Sequence, residues 1–285
     1  VIESLKKIFK DKAYSNIVLG QKLNNSELND KDKGLVTEIV YGTLKYKYTL
    51  DKIIKYFVKE KIGKIDNIVL NILRISIYQL RFLDKIPEFA VVDEAVKLAK
   101  KYKSLGASKF VNGVLRNYLR NKDETFQDTN DIVGLLAFQY SFEPWMVKMF
   151  FKQYGEEITR AILSGLNNIP NVTTRVNSLK MSYDEAFEAL KSFGYDVEEG
   201  YVCPEAIRIF KGKNIENNPL FKDGYITVQD ESAMLVASSM DITQGLTVLD
   251  LCSAPGGKTT HISELLENTG KVFAFDIHEN KLSLI

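Results

Sequence analysis

Apolar residues recur at three- and four-residue spacing through the first 120 positions. Leu5, Ile8 and Phe9 open one helix, and Leu35, Ile39, Val40, Leu44 and Tyr48 mark a second. The stretch from Ile68 to Leu80 is apolar almost all round, as a helix surrounded by others must be. Pro87 interrupts the pattern; the next helix carries Val92, Val96, Leu98 and Ala99, and the last packs Phe110, Val111, Val114, Leu115 and Leu119 inward. Its polar side presents Lys109, Arg116 and Arg120. The pattern predicts an all-α bundle over residues 1–125. A polar stretch, Thr125 to Asp131, reads as a connection and opens a helical linker region over 126–169. There Pro144 suits the first turn of a helix through Val147, Met149 and Phe150, with Trp145 as a packing anchor.

The period changes in residues 170–225. Val172 to Asn177 has strand character, Ser182 to Phe193 reads as a helix with Ser182 and Glu185 as a capping box, and Ala206 to Phe210 is a second strand. Gly224 to Asp230 is a third. These elements predict a small α/β module. From 226 to 285 the expectation is the start of a nucleotide-type parallel sheet. Val248 to Leu251 forms an apolar strand, Pro255-Gly256-Gly257 a turn, and a helix runs through Ile262, Leu265 and Leu266. A second strand, Lys271 to Asp276, precedes a helix from His278 to Leu284. The fold class is therefore multidomain, all-α followed by α/β.

Charge adds a partner to this picture. The chain's net charge of +1 conceals 25 Lys and Arg against 15 Asp and Glu in residues 1–125, and 13 against 22 in the rest. A basic helical domain beside an acidic one points to a polyanion, most simply RNA, at the first half. Lys109, Arg116 and Arg120 are the candidate contacts. Arg175 is read either as a further phosphate contact or as a salt-bridged arginine. Two cysteines and two histidines, scattered at Cys203, Cys252, His261 and His278, form neither a disulfide framework nor a metal site. With no apolar run of about 20 residues and no leader visible, a cytoplasmic, metal-free protein, monomeric and away from membranes, is expected.

Spacing decides among ligands for the turn at 252–258. A P-loop requires glycine five positions before the Gly257-Lys258-Thr259 triplet, and Cys252 stands there. A dinucleotide fingerprint requires glycines at the first, third and sixth places, and only the adjacent Gly256 and Gly257 are present. What remains is S-adenosylmethionine, which has no phosphate and needs close approach to backbone. Asp276 follows Gly257 by 19 residues, the distance at which an acidic side chain at a second strand's end accepts both ribose hydroxyls. Asp276 also suits the N-cap of the following helix. Asp250 is either a ligand group or a hydrogen-bonder of the helix turn, and Lys258 either contacts ligand or caps the loop.

The run Asp250-Leu251-Cys252-Ser253-Ala254-Pro255-Gly256-Gly257-Lys258-Thr259 closely resembles the cofactor loop of the Fmu/Sun/RsmB family, whose usual form has Ala where Ser253 stands. Lys31 to Leu44, Val92 to Lys100 and Lys109 to Asn117 resemble the helical NusB-type RNA-binding domain that this family carries. Thr174 to Asn177 with Leu179-Lys180, and Val228 to Ala233, resemble segments of RNA 5-methylcytosine methyltransferases. The resemblance implies a NusB-like domain joined to a Rossmann-like methyltransferase acting on carbon 5 of a cytosine in 16S rRNA. It implies that Cys252, Ser253, Ala254, Pro255, Gly256, Gly257 and Lys258, with Asp276, hold S-adenosylmethionine.

That chemistry uses two cysteines in Pro-Cys and Thr-Cys settings, and neither setting occurs here: Cys203 precedes its proline and Cys252 lies in the loop. No catalytic residue is therefore assigned within the chain. Two parallel strands cannot bury both faces, so the expectation is a part of a longer protein whose catalytic residues follow Ile285, itself inactive. The competing readings are a NusB-like RNA-binding or antitermination module without catalysis, and a methyltransferase acting on protein or small molecules.

Overall fold

The computed structural model describes residues 1–58, 62–122, 126, 131–168, 170–283 and 285. The chain forms two compact units, Val1–Asn168 and Ile169–Ile285. Apart from Phe126 and Asp131, the polar stretch at 125–131 lies outside the described residues.

The first unit is helical throughout: α1 (Ile2–Asp11), α2 (Ser15–Asn24), α3 (Asp30–Lys45), α4 (Lys47–Phe57), α5 (Asn67–Phe82), α6 (Glu88–Tyr102), α7 (Leu105–Arg120), α8 (Ile132–Tyr140) and α9 (Pro144–Asn167). Helix α5 is its axis, with ten consecutive residues from Val69 to Tyr78 buried. Asp66 starts it by accepting the amides of Ile68 and Val69, which satisfies two of the free donors at a helix start. Each buried Leu or Ile of its core adds roughly 1.5–3 kcal/mol.

The polar residues inside this helix are all matched. Arg74 grips Asp51 with Nε at 2.6 Å and Nη2 at 2.8 Å while Nη1 donates to Asn71. Tyr78 donates to Glu38 of α3 and packs over Gly42, where a Cβ would lie 1.9 Å from the ring. That contact is why α3 carries glycine at mid-helix.

Helix α7 buries Val111, Val114 and Leu115 as the spacing predicts, but Phe110 is 40% exposed. It lies one position off the buried stripe and faces outward. Pro144 does begin α9, whereas Trp145 is 64% exposed and anchors nothing. Helix α9 is two helical runs joined at Gly155, whose φ of 75° and ψ of −178° no helix accommodates.

The second unit begins with a four-stranded antiparallel sheet in the order β2-β3-β1-β4, made by β1 (Val172–Val176), β2 (Asp196–Glu199), β3 (Ala206–Lys211) and β4 (Ile226–Val228). Helix α10 (Tyr183–Ser192) opens with the reciprocal Ser182–Glu185 capping box. Because β4 pairs with β1, residues 226–228 belong to this sheet, although the sequence places them at the opening of the next region. The single-turn α11 (Pro219–Lys222) precedes β4, and α12 (Glu231–Ser238) follows it.

The parallel pair comes next: β5 (Thr247–Asp250), α13 (Gly257–Leu265) and β6 (Lys271–Ala274), then the single-turn α14 (Glu279–Leu282). Val248 and Val272 face inward and pack with Ile262 and Leu266 of the α13 segment and Ala237 of α12. The alternate residues, Leu249 in β5 with Leu251 just after it and Phe273 in β6 with Phe275 and Ile277 beyond its end, are all exposed, Ile277 at 91%. This small sheet therefore has one covered and one open apolar face.

Candidate functional site

The loop from Leu251 to Gly256 crosses from the end of β5 to the start of α13, over the C-terminal ends of the two parallel strands. Ligands bind at this edge in open α/β sheets, because the helix N-terminus there offers free N–H groups. Gly256 stands at the helix start with φ of 111°, a left-handed conformation that a side chain disfavours.

Two carboxylates hold the loop. Asp250 accepts the Cys252 amide on Oδ1 at 3.1 Å and the Thr259 hydroxyl on Oδ2 at 2.7 Å. Asp276 accepts the Ala254 amide on Oδ2 at 3.2 Å and the His278 amide on Oδ1 at 2.9 Å. Ser253 is sunk beneath the loop, with its amide and hydroxyl both donating to the Phe275 carbonyl at 2.9 Å. Cys252, Pro255 and Lys258 are exposed, while Ala254 and Gly257 are partly open. Loop and Asp276 thus come together at one place. The amide of His278, followed by that of Ala254, holds the Asp276 carboxyl below the usual aspartate value. Each of its oxygens accepts one N–H and retains a lone pair.

The structure departs from one expectation and selects between alternatives at two others. Strand β6 ends at Ala274, short of Asp276, and the following helix is capped by His278, so Asp276 closes a turn and does not serve as an N-cap. Asp250 proves to be a hydrogen-bonder of the loop itself. Arg175 is the salt-bridged alternative: its side chain is 0% exposed and pairs with Glu264, so no phosphate in solvent can reach it.

The residues around Arg175 escaped sequence reasoning. Gln229, Thr260 and Glu264 all accept from its guanidinium, and one turn away Nε2 of the buried His261 lies 3.2 Å from Glu205. That contact holds the Glu205 carboxyl below its ordinary value. Nδ1 of His261 has no partner among the described residues. A cavity of about 440 Å³ lies alongside, lined by Arg175, Pro204, Glu205, Asp241, His261 and Glu264 among others.

The two cysteines lie in different surroundings. Cys203 is buried, its Sγ donates to the Glu231 carbonyl, and burial with the nearby Glu205 raises its pKa, so the neutral thiol dominates. Cys252 lies on the loop, exposed. Among the described residues no group of three or more His, Cys, Asp or Glu is placed to hold a metal ion.

In the first unit, Lys109, Arg116 and Arg120 are all exposed along α7. Lys109 and Arg116 border an open groove of about 680 Å³ between α6 and α7, where Arg116 donates to Asn112. Three of the four expected RNA-facing side chains are therefore on one helix.

Comparison with known proteins accounts for this arrangement. Residues 1–120 match the NusB family, residues 142–216 the RsmF/B-like ferredoxin-like methyltransferase domain, and residues 237–285 the 16S rRNA methyltransferase RsmB/F domain. Two of the three matches are thus to RsmB/F methyltransferase domains, with a NusB domain ahead of them. It is 40% identical over 284 residues to the probable ribosomal RNA small subunit methyltransferase B of Bacillus subtilis strain 168, covering all of this chain and 63% of that protein. The protein of the same name from Synechocystis sp. is 34% identical over 96% of this chain and 62% of its own length. The chain thus spans under two thirds of these RsmB relatives. A crystal structure of PH0851 shares the fold over 99% of this chain and 63% of its own, with a TM-score of 0.74 and 24% identity. The matched RsmB/F methyltransferase domain contains both the loop and Asp276.

Proposed function

We propose that these residues are the cofactor- and RNA-holding part of a methyltransferase that uses S-adenosylmethionine to methylate carbon 5 of a cytosine in 16S rRNA. The observation that carries this reading is the Asp276 carboxylate, fixed 3.2 Å from the Ala254 amide of a loop that ends in Gly256 and Gly257. Such a loop admits an uncharged adenosyl group close to backbone and offers its carboxylate to a ribose diol. Cys252, Ser253, Ala254, Pro255, Gly256, Gly257, Lys258 and Asp276 would hold the cofactor. When bound, S-adenosylmethionine supplies an electrophilic methyl group.

Carbon 5 of cytosine becomes nucleophilic only after a thiolate adds at carbon 6, and a base must later remove the carbon 5 proton. Cys203 is buried as a thiol and Cys252 belongs to the cofactor loop, so neither is assigned that part. Lys109, Arg116 and Arg120 would engage RNA phosphates. The partner is 16S rRNA, the setting is the cytoplasm, the protein acts as a monomer, and no metal takes part. Among the described residues no helix is long and apolar enough to cross a membrane.

Calorimetric titration of the 285-residue chain with S-adenosylmethionine tests the site, and absence of binding overturns it. Incubation with tritiated S-adenosylmethionine and 16S rRNA tests the assignment of chemistry. No incorporation is expected, and clear incorporation would show that the attacking group lies within these residues.

A further inference from the structure

Arg175 sits in a strand of the antiparallel sheet, 82 residues from the glycine loop, yet it is tied to that loop's far end. Its guanidinium is fully buried and every one of its donors is aimed. Nε and Nη2 grip the two oxygens of Glu264 at 3.0 and 2.7 Å. Nη2 also reaches the Thr260 hydroxyl at 3.1 Å, and Nη1 donates to Gln229 and to the Gly257 carbonyl, the latter at 3.0 Å. Gly257, Thr260 and Glu264 occupy one face of α13 at successive turns. Gln229 follows directly on β4.

The contact to Gly257 separates this network from an ordinary buried ion pair. Gly257 is both the second glycine of the loop and the first residue of α13. A glycine has no side chain to restrict its peptide, and beyond the helix itself the Gly257 carbonyl accepts the Thr260 hydroxyl at 3.2 Å, so a second donor from outside the helix further fixes that carbonyl and the amide of Lys258 on the same peptide plane. Arg175 supplies it with a rigid fork that grips Glu264 further along the helix at the same time. A lysine offers one point of charge and cannot span both.

We infer that Arg175 is a positioning residue for the cofactor loop: from the neighbouring sheet it sets the Gly257 peptide and the first turn of α13 in the geometry that receives S-adenosylmethionine. The inference rests on the reading of that loop as the cofactor site. It requires no contact between Arg175 and the cofactor. It also gives the ferredoxin-like sheet a share in cofactor affinity.

The informative variant replaces the ion pair without leaving a charge buried. Arg175→Met with Glu264→Leu exchanges the two side chains for apolar ones of similar volume, a change that folded proteins often tolerate. In the 285-residue chain the double variant is expected to keep its thermal midpoint near that of the parent, to weaken S-adenosylmethionine binding by about tenfold or more through lost preorganisation, and to speed amide exchange at Gly257 and Lys258. Parental affinity with parental exchange at those amides would overturn the inference. Should the double variant not fold, Arg175→Lys carries the same test, read as loop exchange and affinity at a temperature where it is folded. If the parent itself fails to bind S-adenosylmethionine, the cofactor reading is lost, while the exchange experiment still reports whether Arg175 orders the loop.

Discussion

The hydroxyl of Thr259 donates to Oδ2 of Asp250 at 2.7 Å, so the last residue of the first strand and the first turn of the helix close on one another across the loop. The other oxygen of the same carboxylate holds the Cys252 amide. Asp250→Ala removes both ties. A charge-assisted hydrogen bond of this kind contributes about 1.5–3 kcal/mol, and we expect the second unit to lose stability in that range in urea unfolding. Asp250→Asn, which keeps one acceptor, is expected to lose about half as much.

Asp276 holds the same loop through the Ala254 amide. On the proposed reading, in which its carboxylate accepts the ribose hydroxyls, Asp276→Ala should reduce S-adenosylmethionine affinity by about tenfold to a hundredfold. The carboxyl titrates below its ordinary value of 3.8, chiefly because it accepts the His278 amide. Its contribution is therefore complete above that pH and lost as pH falls through the lower native value. Affinity measured by titration calorimetry should show no step from this group between pH 7 and about 4.5.

Glu231 provides a second acid-side prediction. Burial pushes its pKa up, but the amides of Tyr201, Val202 and Cys203 all donate to the carboxylate, and together they leave it below the ordinary 4.5. The depressed value means that stability is present above pH 4.5 and is withdrawn as pH falls through the native value. Glu231→Gln should lower stability at pH 7 by about 1–3 kcal/mol and flatten the acid limb of the stability profile, read from thermal midpoints between pH 6 and 3.

For the helical unit, charge removal at Lys109, Arg116 and Arg120 tests RNA contact. If each meets one phosphate, the triple alanine variant should lower the slope of log affinity against log salt by about 2 to 3. Filter binding of an rRNA fragment at several salt concentrations measures this. An unchanged slope would remove α7 from the RNA interface.

Gly42 tests the packing of that unit around α5. A methyl group there would meet the Tyr78 ring 1.9 Å away. Gly42→Ala should therefore destabilise by about 1–3 kcal/mol in thermal melts, against the gain that alanine brings to an open helix position.

What was legible in the sequence was local. Ser182 with Glu185 announces its helix, Pro144 announces another, and the strand, glycine turn and helix at 248–266 follow from spacing, because each depends on neighbours within a few residues. Strand β2 was missed because Asp196-Val197-Glu198-Glu199 has little strand character of its own; pairing with β3 makes it a strand. Trp145 and Phe110 were read inward although their positions on the helix face water. Asp276 could be placed by counting, since strand length and loop length set its distance from Gly257. Arg175 could not, because its partners lie 54 to 89 residues away and only the folded sheet brings them to it.

The open apolar face of the two-stranded sheet bears on how this unit unfolds. Leu249, Leu251, Phe273, Phe275 and Ile277 all lie exposed, whereas Val248 and Val272 pack with Ile262 and Leu266 on the α13 side. Segments with few buried contacts open more readily under native conditions, so amide exchange in this pair and its loop is expected ahead of that in the four-stranded sheet. A ligand seated on the loop would then act as a clasp, its occupancy raising the cost of local opening by RT ln(1 + [L]/Kd). Cofactor concentration, on the proposed reading, would in this way set how small a fraction of the sheet edge stands open.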